Sequence, residues 1–250
     1  MLEKTNIPPE TTQGAVDAPA KDANQSRFPL WAAFLYTLIF FFFSQIVVGL
    51  IAAPIFLALG YGLADIQNNA DFLLSATLGG QILSIVLLLL LLRNQKIDVK
   101  TYLNFGKMTG KLVAIMFIAF VVAVGLVEVI GQALEIEPNS MIMDLIMNGN
   151  IVLVFLTLTI FAPISEELFF RGFLFKELEA RYSAFVTITV TSITFSLSHA
   201  LQYDLSEVGM VLLLAVVMGY LRYRWKNTYL PLGVHFLNNF ASFLAFLYIY

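Results

Sequence analysis

The stretch IVLVFLTLTIFAPISEELFFRGFLF, residues 151–175, decides how this chain folds. A bilayer core of about 30 Å takes about 20 helical residues, and this run exceeds that length with only Glu166, Glu167 and Arg171 charged inside it. Ionisable groups at membrane depth are costly, and where they occur they mark a functional site by default. The run is therefore read as a membrane-spanning helix that carries chemistry.

Composition agrees with a membrane setting. Of 250 residues, 59% are hydrophobic and 12% charged, which excludes an ordinary soluble domain. The net charge of −3 says little, because in a membrane protein the placement of Lys and Arg matters more than their sum. The lack of cysteine removes disulfides, thiolate metal sites and cysteine nucleophiles. Residues 1–27 are polar, Pro-containing and without an apolar period. They are expected to form a flexible cytoplasmic tail, not a cleavable signal.

Other apolar runs lie at roughly Trp31 to Leu59, Phe72 to Leu92, Leu112 to Ala133, Ser183 to Leu201, Val208 to Tyr223 and Leu230 to Tyr250. Together they predict an all-α fold: a polytopic transmembrane bundle of about seven helices in the cell membrane, with residues 28–250 as one domain. The charges support this count. Arg93, Lys96, Lys100, Lys107 and Lys111 follow the second run, Lys176 and Arg181 the fourth, and Arg222, Arg224 and Lys226 the sixth. The loops carrying Asp65, Asp71, Glu135, Glu137, Asp144, Asp204 and Glu207 have no Lys or Arg. By the positive-inside rule the amino terminus, with Lys4, Lys21 and Arg27, is then cytoplasmic. Pro138 to Gly149 reads either as a short interfacial helix or as a mobile outer loop. No internal repeat is apparent, which argues against a secondary transporter.

Three short motifs concentrate the polar chemistry. In Ser165-Glu166-Glu167-Leu-Phe-Phe-Arg171, Glu167 stands four residues before Arg171, the favourable order for an ion pair on one helix face. Glu166 points roughly 100° away and is unpaired within the motif, which suits it to take a proton from water. The alternative is a salt-bridge network that only locks packing. In Phe195-Ser-Leu-Ser-His199 the ring and the imidazole share a face, so Phe195 can restrain His199; a satisfied core histidine is the plainer reading. In His235-Phe-Leu-Asn238-Asn239, His235 and Asn239 share a face and could supply neutral donors to a developing oxyanion, each worth about 3–4 kcal/mol in soluble proteases. Here the alternative is interhelical hydrogen bonding. The three motifs hold both histidines of the chain and a pair of adjacent glutamates, a cluster that packing alone would rarely produce.

The pattern Glu-Glu-x-x-x-Arg, Phe-x-x-x-His, His-x-x-x-Asn resembles the signature of the CAAX-protease and bacteriocin-processing family of intramembrane proteases, also called Abi or Rce1-like. The likeness covers roughly 151–250, which would then carry the protease motifs. It implies an intramembrane endopeptidase in which Glu166 and His199 activate a water, His235 and Asn239 hold the oxyanion, and Glu167, Arg171 and Phe195 support the site. The implied partners are membrane lipids and a peptide or protein substrate, lipidated for some members, with no nucleic acid. Zinc could be held by Glu166, His199 and His235, but there is no His-Glu-x-x-His helix, so a glutamate-type mechanism with no tightly bound metal or other cofactor is expected. A non-catalytic membrane scaffold or bacteriocin-immunity protein using the same cavity is the competing reading, and a proton-coupled transporter a third.

One expectation conflicts with convergence. At about 1.5 Å per residue, His199 lies roughly 24 Å from the start of its run and His235 about 8 Å beyond Tyr229. The two cannot meet if every helix starts at the membrane surface.

Overall fold

The computed structural model describes residues 26–66, 68–136 and 140–249. Most of the expected tail, residues 1–25, lies outside them. Among the described residues, six helices are long and apolar enough to cross a membrane. They are α1 (Leu30–Ala58), α2 (Ala70–Asn94), α3 (Gly110–Ala133), α5 (Ile151–Glu179), α7 (Leu205–Trp225) and α8 (Tyr229–Ile249). Between them stand the shorter α4 (Ser140–Asn148) and α6 (Ala184–Leu197). The seven apolar runs thus become six long helices and one short one. The outer segment left open between loop and helix is helical over α4.

The fifth run falls short for a local reason. The α6 helix rises only about 21 Å at 1.5 Å per residue, less than a bilayer core. Its continuation would need the Phe195 carbonyl to accept from the His199 backbone. That carbonyl instead accepts from Ser198 Oγ at 2.6 Å and His199 Nδ1 at 3.0 Å. Side chains that claim nearby backbone groups compete with the helical ladder, and the chain passes into tight turns, His199 N–H to Ser196 O and Ala200 N–H to Leu197 O.

The central helix is α5, with half the residues of its most apolar stretch buried, where few of those in α1 and α3 are. It is surrounded by protein, which is what permits charges in it. Phe169, Phe173, Leu174 and Phe175 are fully buried, and Phe170 nearly so. Two stretches of α5, Phe155–Phe161 and Leu168–Leu174, are wound in wide π turns with backbone bonds from residue i to i−5. Such turns recur at functional sites, and here they flank the segment Ala162–Glu167. At the periphery α1 approaches α2 closely over glycine: a Cβ on Gly80 would lie 2.8 Å from Gln45 Cα.

Arg27 and the three later basic segments gather at one end of the bundle. Glu177, fully buried, accepts from the Arg27 backbone N–H (2.9 Å), Tyr102 Oη (2.5 Å) and Arg181 Nη1 (2.7 Å). Arg181 Nη2 also donates to Phe28 O, and Lys226 pairs with Glu179. Burial first, then the Glu177 charge, pushes the Tyr102 phenol well above its usual range, so it stays a donor. At the opposite end the Asn150 N–H donates to Asp71 Oδ1 at 2.6 Å.

This arrangement removes the depth conflict. The turn between α7 and α8 does not sit at the rim, because the segment after α2 folds over it. Thr228 Oγ1 donates to Leu103 O (2.6 Å), and Asn227 Nδ2 to Lys107 O (3.3 Å). Thr228, Leu230 and Val234 are completely buried. The α8 helix therefore starts inside the protein, and His235 lies deep after a short descent.

Candidate active site

Glu166 and Glu167 close the narrow segment of α5, and each faces a different partner set. Glu167 Oε1 accepts from Arg171 Nη1 at 2.9 Å, the ion pair its spacing predicts, and meets His235 Nδ1 at 3.0 Å. Arg171 is fully buried, donates from Nη2 to Ala215 O at 3.3 Å, and lies 4.1 Å over the Phe195 ring. A cation over an aromatic face is favourable in a dry site. The ring of Phe195 also contacts both imidazoles, with centroids 4.9 Å from His199 and 5.8 Å from His235.

Glu166 turns the other way. Its Oε2 stands 3.8 Å from His199 Nε2 and 3.6 Å from His235 Nε2, and it has no hydrogen-bond partner although it is buried. These separations are too long for direct hydrogen bonds and short enough for one water to reach the carboxylate and an imidazole together. Helices α5, α6 and α8 thus bring Glu166, His199 and His235 to one point.

Hydrogen-bond chemistry fixes both tautomers. A backbone carbonyl only accepts, so His199 donates from Nδ1 to Phe195 O. A carboxylate paired with arginine only accepts, so His235 donates from Nδ1 to Glu167. Each neutral imidazole therefore turns an Nε2 lone pair toward Glu166. This refines the expectation of a neutral His235 donor: His235 can donate from Nε2 only as imidazolium, with Glu167 as its counter-charge.

Asn239 is also partly committed. The i→i−5 ladder of the first wide run ends with Ala162 N–H on Thr157 O. The next rung would come from Pro163, which has no N–H. The carbonyl it would serve, Leu158 O, accepts from Asn239 Nδ2 at 2.8 Å, and Asn238 Nδ2 donates to Asn239 Oδ1 at 3.2 Å. Pro163 therefore ends the wide run and attaches α8 to α5, and one amide hydrogen of Asn239 is left for other use.

One side chain beside this centre was missed from sequence. Tyr203 stacks on His199 with centroids 5.5 Å apart and ring planes within 17°. Burial, and behind it the Glu166 carboxylate, pushes its phenol up to about 12, so it stays neutral. The signal was available, because Tyr203 follows His199 by four residues.

Zinc with bonds of about 2.0–2.2 Å would hold tetrahedral ligand atoms about 3.4 Å apart. Both Glu166–histidine separations are wider, and among the described residues no group of three His, Asp or Glu side chains is arranged to hold a metal ion.

Comparison with known families matches residues 148–241 to the model described as "Type II CAAX prenyl endopeptidase Rce1-like". Comparison with curated proteins and with solved structures returned no match. The matched segment holds both glutamates, Arg171, Phe195, both histidines and Asn239. Residues 148–241 of this multi-pass membrane protein are thus similar to the Rce1-like family.

Proposed function

We propose that the chain is a CAAX-type intramembrane endopeptidase in which Glu166 is the base for an attacking water. The observation that carries this reading is the unpartnered, buried Glu166 Oε2 facing two imidazole nitrogens at 3.6 and 3.8 Å. Glu166 takes a proton from a water that His199 Nε2 holds in place. The hydroxide oxygen bonds to the scissile carbonyl carbon, and the carbonyl oxygen becomes an oxyanion. His235, as imidazolium, donates to that oxyanion, joined by the remaining Asn239 amide hydrogen. The proton held by Glu166 passes to the leaving nitrogen, the C–N bond breaks, and a carboxylic acid and an amine are released. With Glu166 ionised and His235 protonated, Glu166, Glu167, Arg171 and His235 sum to zero charge, the state a low-dielectric site tolerates best.

The substrate in this reading is the carboxyl-terminal segment of a membrane-anchored peptide, reaching the site from the end where the basic segments gather. The positive-inside rule makes that end cytoplasmic. The test uses purified protein in lipid vesicles with a fluorogenic peptide carrying a lipidated cysteine near its carboxyl terminus, and the same peptide without lipid. Cleavage of the lipidated peptide is expected, unchanged by EDTA. Cleavage that stops with EDTA and returns with zinc overturns the metal-free water route, and failure to cleave either peptide favours the scaffold reading.

Tyr203 gives a further expected result. Tyr203→Phe keeps the stack on His199 and should leave kcat near wild type, whereas Tyr203→Ala frees the imidazole and lowers kcat about tenfold or more. Equal rates for the two variants would remove Tyr203 from the site.

A further inference from the structure

Arg222 is a fully buried cation that the chemistry above does not use. Burying an unneeded guanidinium is costly, so its contacts are informative. They converge on the backbone of Arg171. The second wide run of α5 ends with Phe175 N–H on Phe170 O. When the ladder returns to i→i−4 spacing, the next donor reaches past one carbonyl, that of Arg171. Arg222 Nε donates to this oxygen at 3.0 Å.

The rest of the guanidinium is held at the basic end. Nη1 lies 3.7 Å from Glu179 Oε2, and the cation sits 5.0 Å over the Phe175 ring. In the amide orientation its neighbours require, Asn104 Oδ1 accepts from Arg222 Nη2 at 2.6 Å and Nη1 at 3.1 Å, while its nitrogen donates to Thr101 O. A continuous path of contacts therefore runs from Asn104 through Arg222 to the Arg171 peptide, and from the Arg171 side chain through Glu167 to His235.

We propose that Arg222, held by Asn104, is a positioning residue for the Glu167–His235 pair, acting through the backbone carbonyl of Arg171. A carbonyl passed over in a wide turn has no helical donor to fix it, and without Arg222 the Arg171 peptide is free to tilt. Tilting moves the guanidinium that orients Glu167, and with it the hydrogen bond that sets the His235 tautomer. The catalytic reading of His235 rests on the endopeptidase proposal, whereas the path itself does not.

The test uses two variants of the full chain. Asn104→Gly removes the amide and suits the left-handed backbone at that position (φ 56°). Arg222→Lys keeps the charge but loses the fork. Because the chain has only two histidines, 15N-histidine labelling resolves each imidazole by NMR. Both variants should shift the His235 Nδ1 resonance and leave that of His199 in place. On the lipidated peptide, kcat should fall about ten- to a hundredfold with KM unchanged. An unmoved His235 signal overturns the proposal. So do equal movements of both signals with a falling thermal midpoint, which would mean general loosening. If Arg222→Lys does not fold, Asn104→Gly decides alone. A His235 shift in a protein that cleaves nothing would uphold the path while overturning the endopeptidase reading.

Discussion

Glu166→Gln should reduce cleavage by about 10³-fold or more while leaving the protein at least as stable as wild type. The two outcomes separate because of what Glu166 touches. Its Oε2 makes no hydrogen bond within the protein, so replacing the carboxylate breaks no direct contact of the fold. Glutamine has the same shape, and its amide can donate to the Nε2 lone pair of neutral His199, a contact the carboxylate cannot make. The base is lost and the packing is kept. The measurements are kcat on the lipidated peptide and the thermal midpoint in detergent. Wild-type cleavage by the variant would end the proposed mechanism. A cellular phenotype that survives the substitution while cleavage is lost would point to the scaffold role.

Arg171→Met carries the second large effect, and it acts through stability. Arg171 and Glu167 are both completely or almost completely buried, and removing one partner leaves the other charge uncompensated. Breaking a buried pair in this way costs about 3–5 kcal/mol. A sharply lower thermal midpoint and loss of activity are therefore expected together. The double variant Glu167→Gln/Arg171→Met should recover much of the stability, since replacing both ions is far cheaper than stranding one. It should not recover cleavage, because His235 then lacks the carboxylate that fixes its tautomer and balances its charge. Recovery of cleavage in the double variant would show that Glu167 serves packing alone.

Much of this was legible in the sequence because it is local. The Glu167–Arg171 pair follows from a four-residue offset, and so does the contact of Phe195 with His199. The membrane-spanning helices follow from the length of apolar runs, and the shared end of the basic segments from the alternation of charge. The early end of α6 has a local cause too, in Ser198 and His199 competing for one carbonyl, but a hydropathy run cannot register it. What stayed out of reach is long-range. Counting residues from assumed surface starts separated the two histidines. Nothing near Thr228 in sequence announces that Leu103 and Lys107 will fold over it. The partner of the Leu158 carbonyl lies 81 residues away, and that of the Arg171 carbonyl 51.

The wide turns of α5 carry one more implication. An i→i−5 ladder takes about one residue more per turn than an i→i−4 ladder, so each wide run behaves as an inserted residue absorbed without breaking the helix. Removing one residue between 155 and 161 would leave every side chain of the site present and the hydropathy unchanged. It would also swing Glu166 by about 100° relative to the start of α5, away from both imidazoles. Alignments of this region are therefore informative in their gaps as well as in their letters, and a homologue with all the motif residues but a helix one residue shorter before Pro163 should not be presumed active.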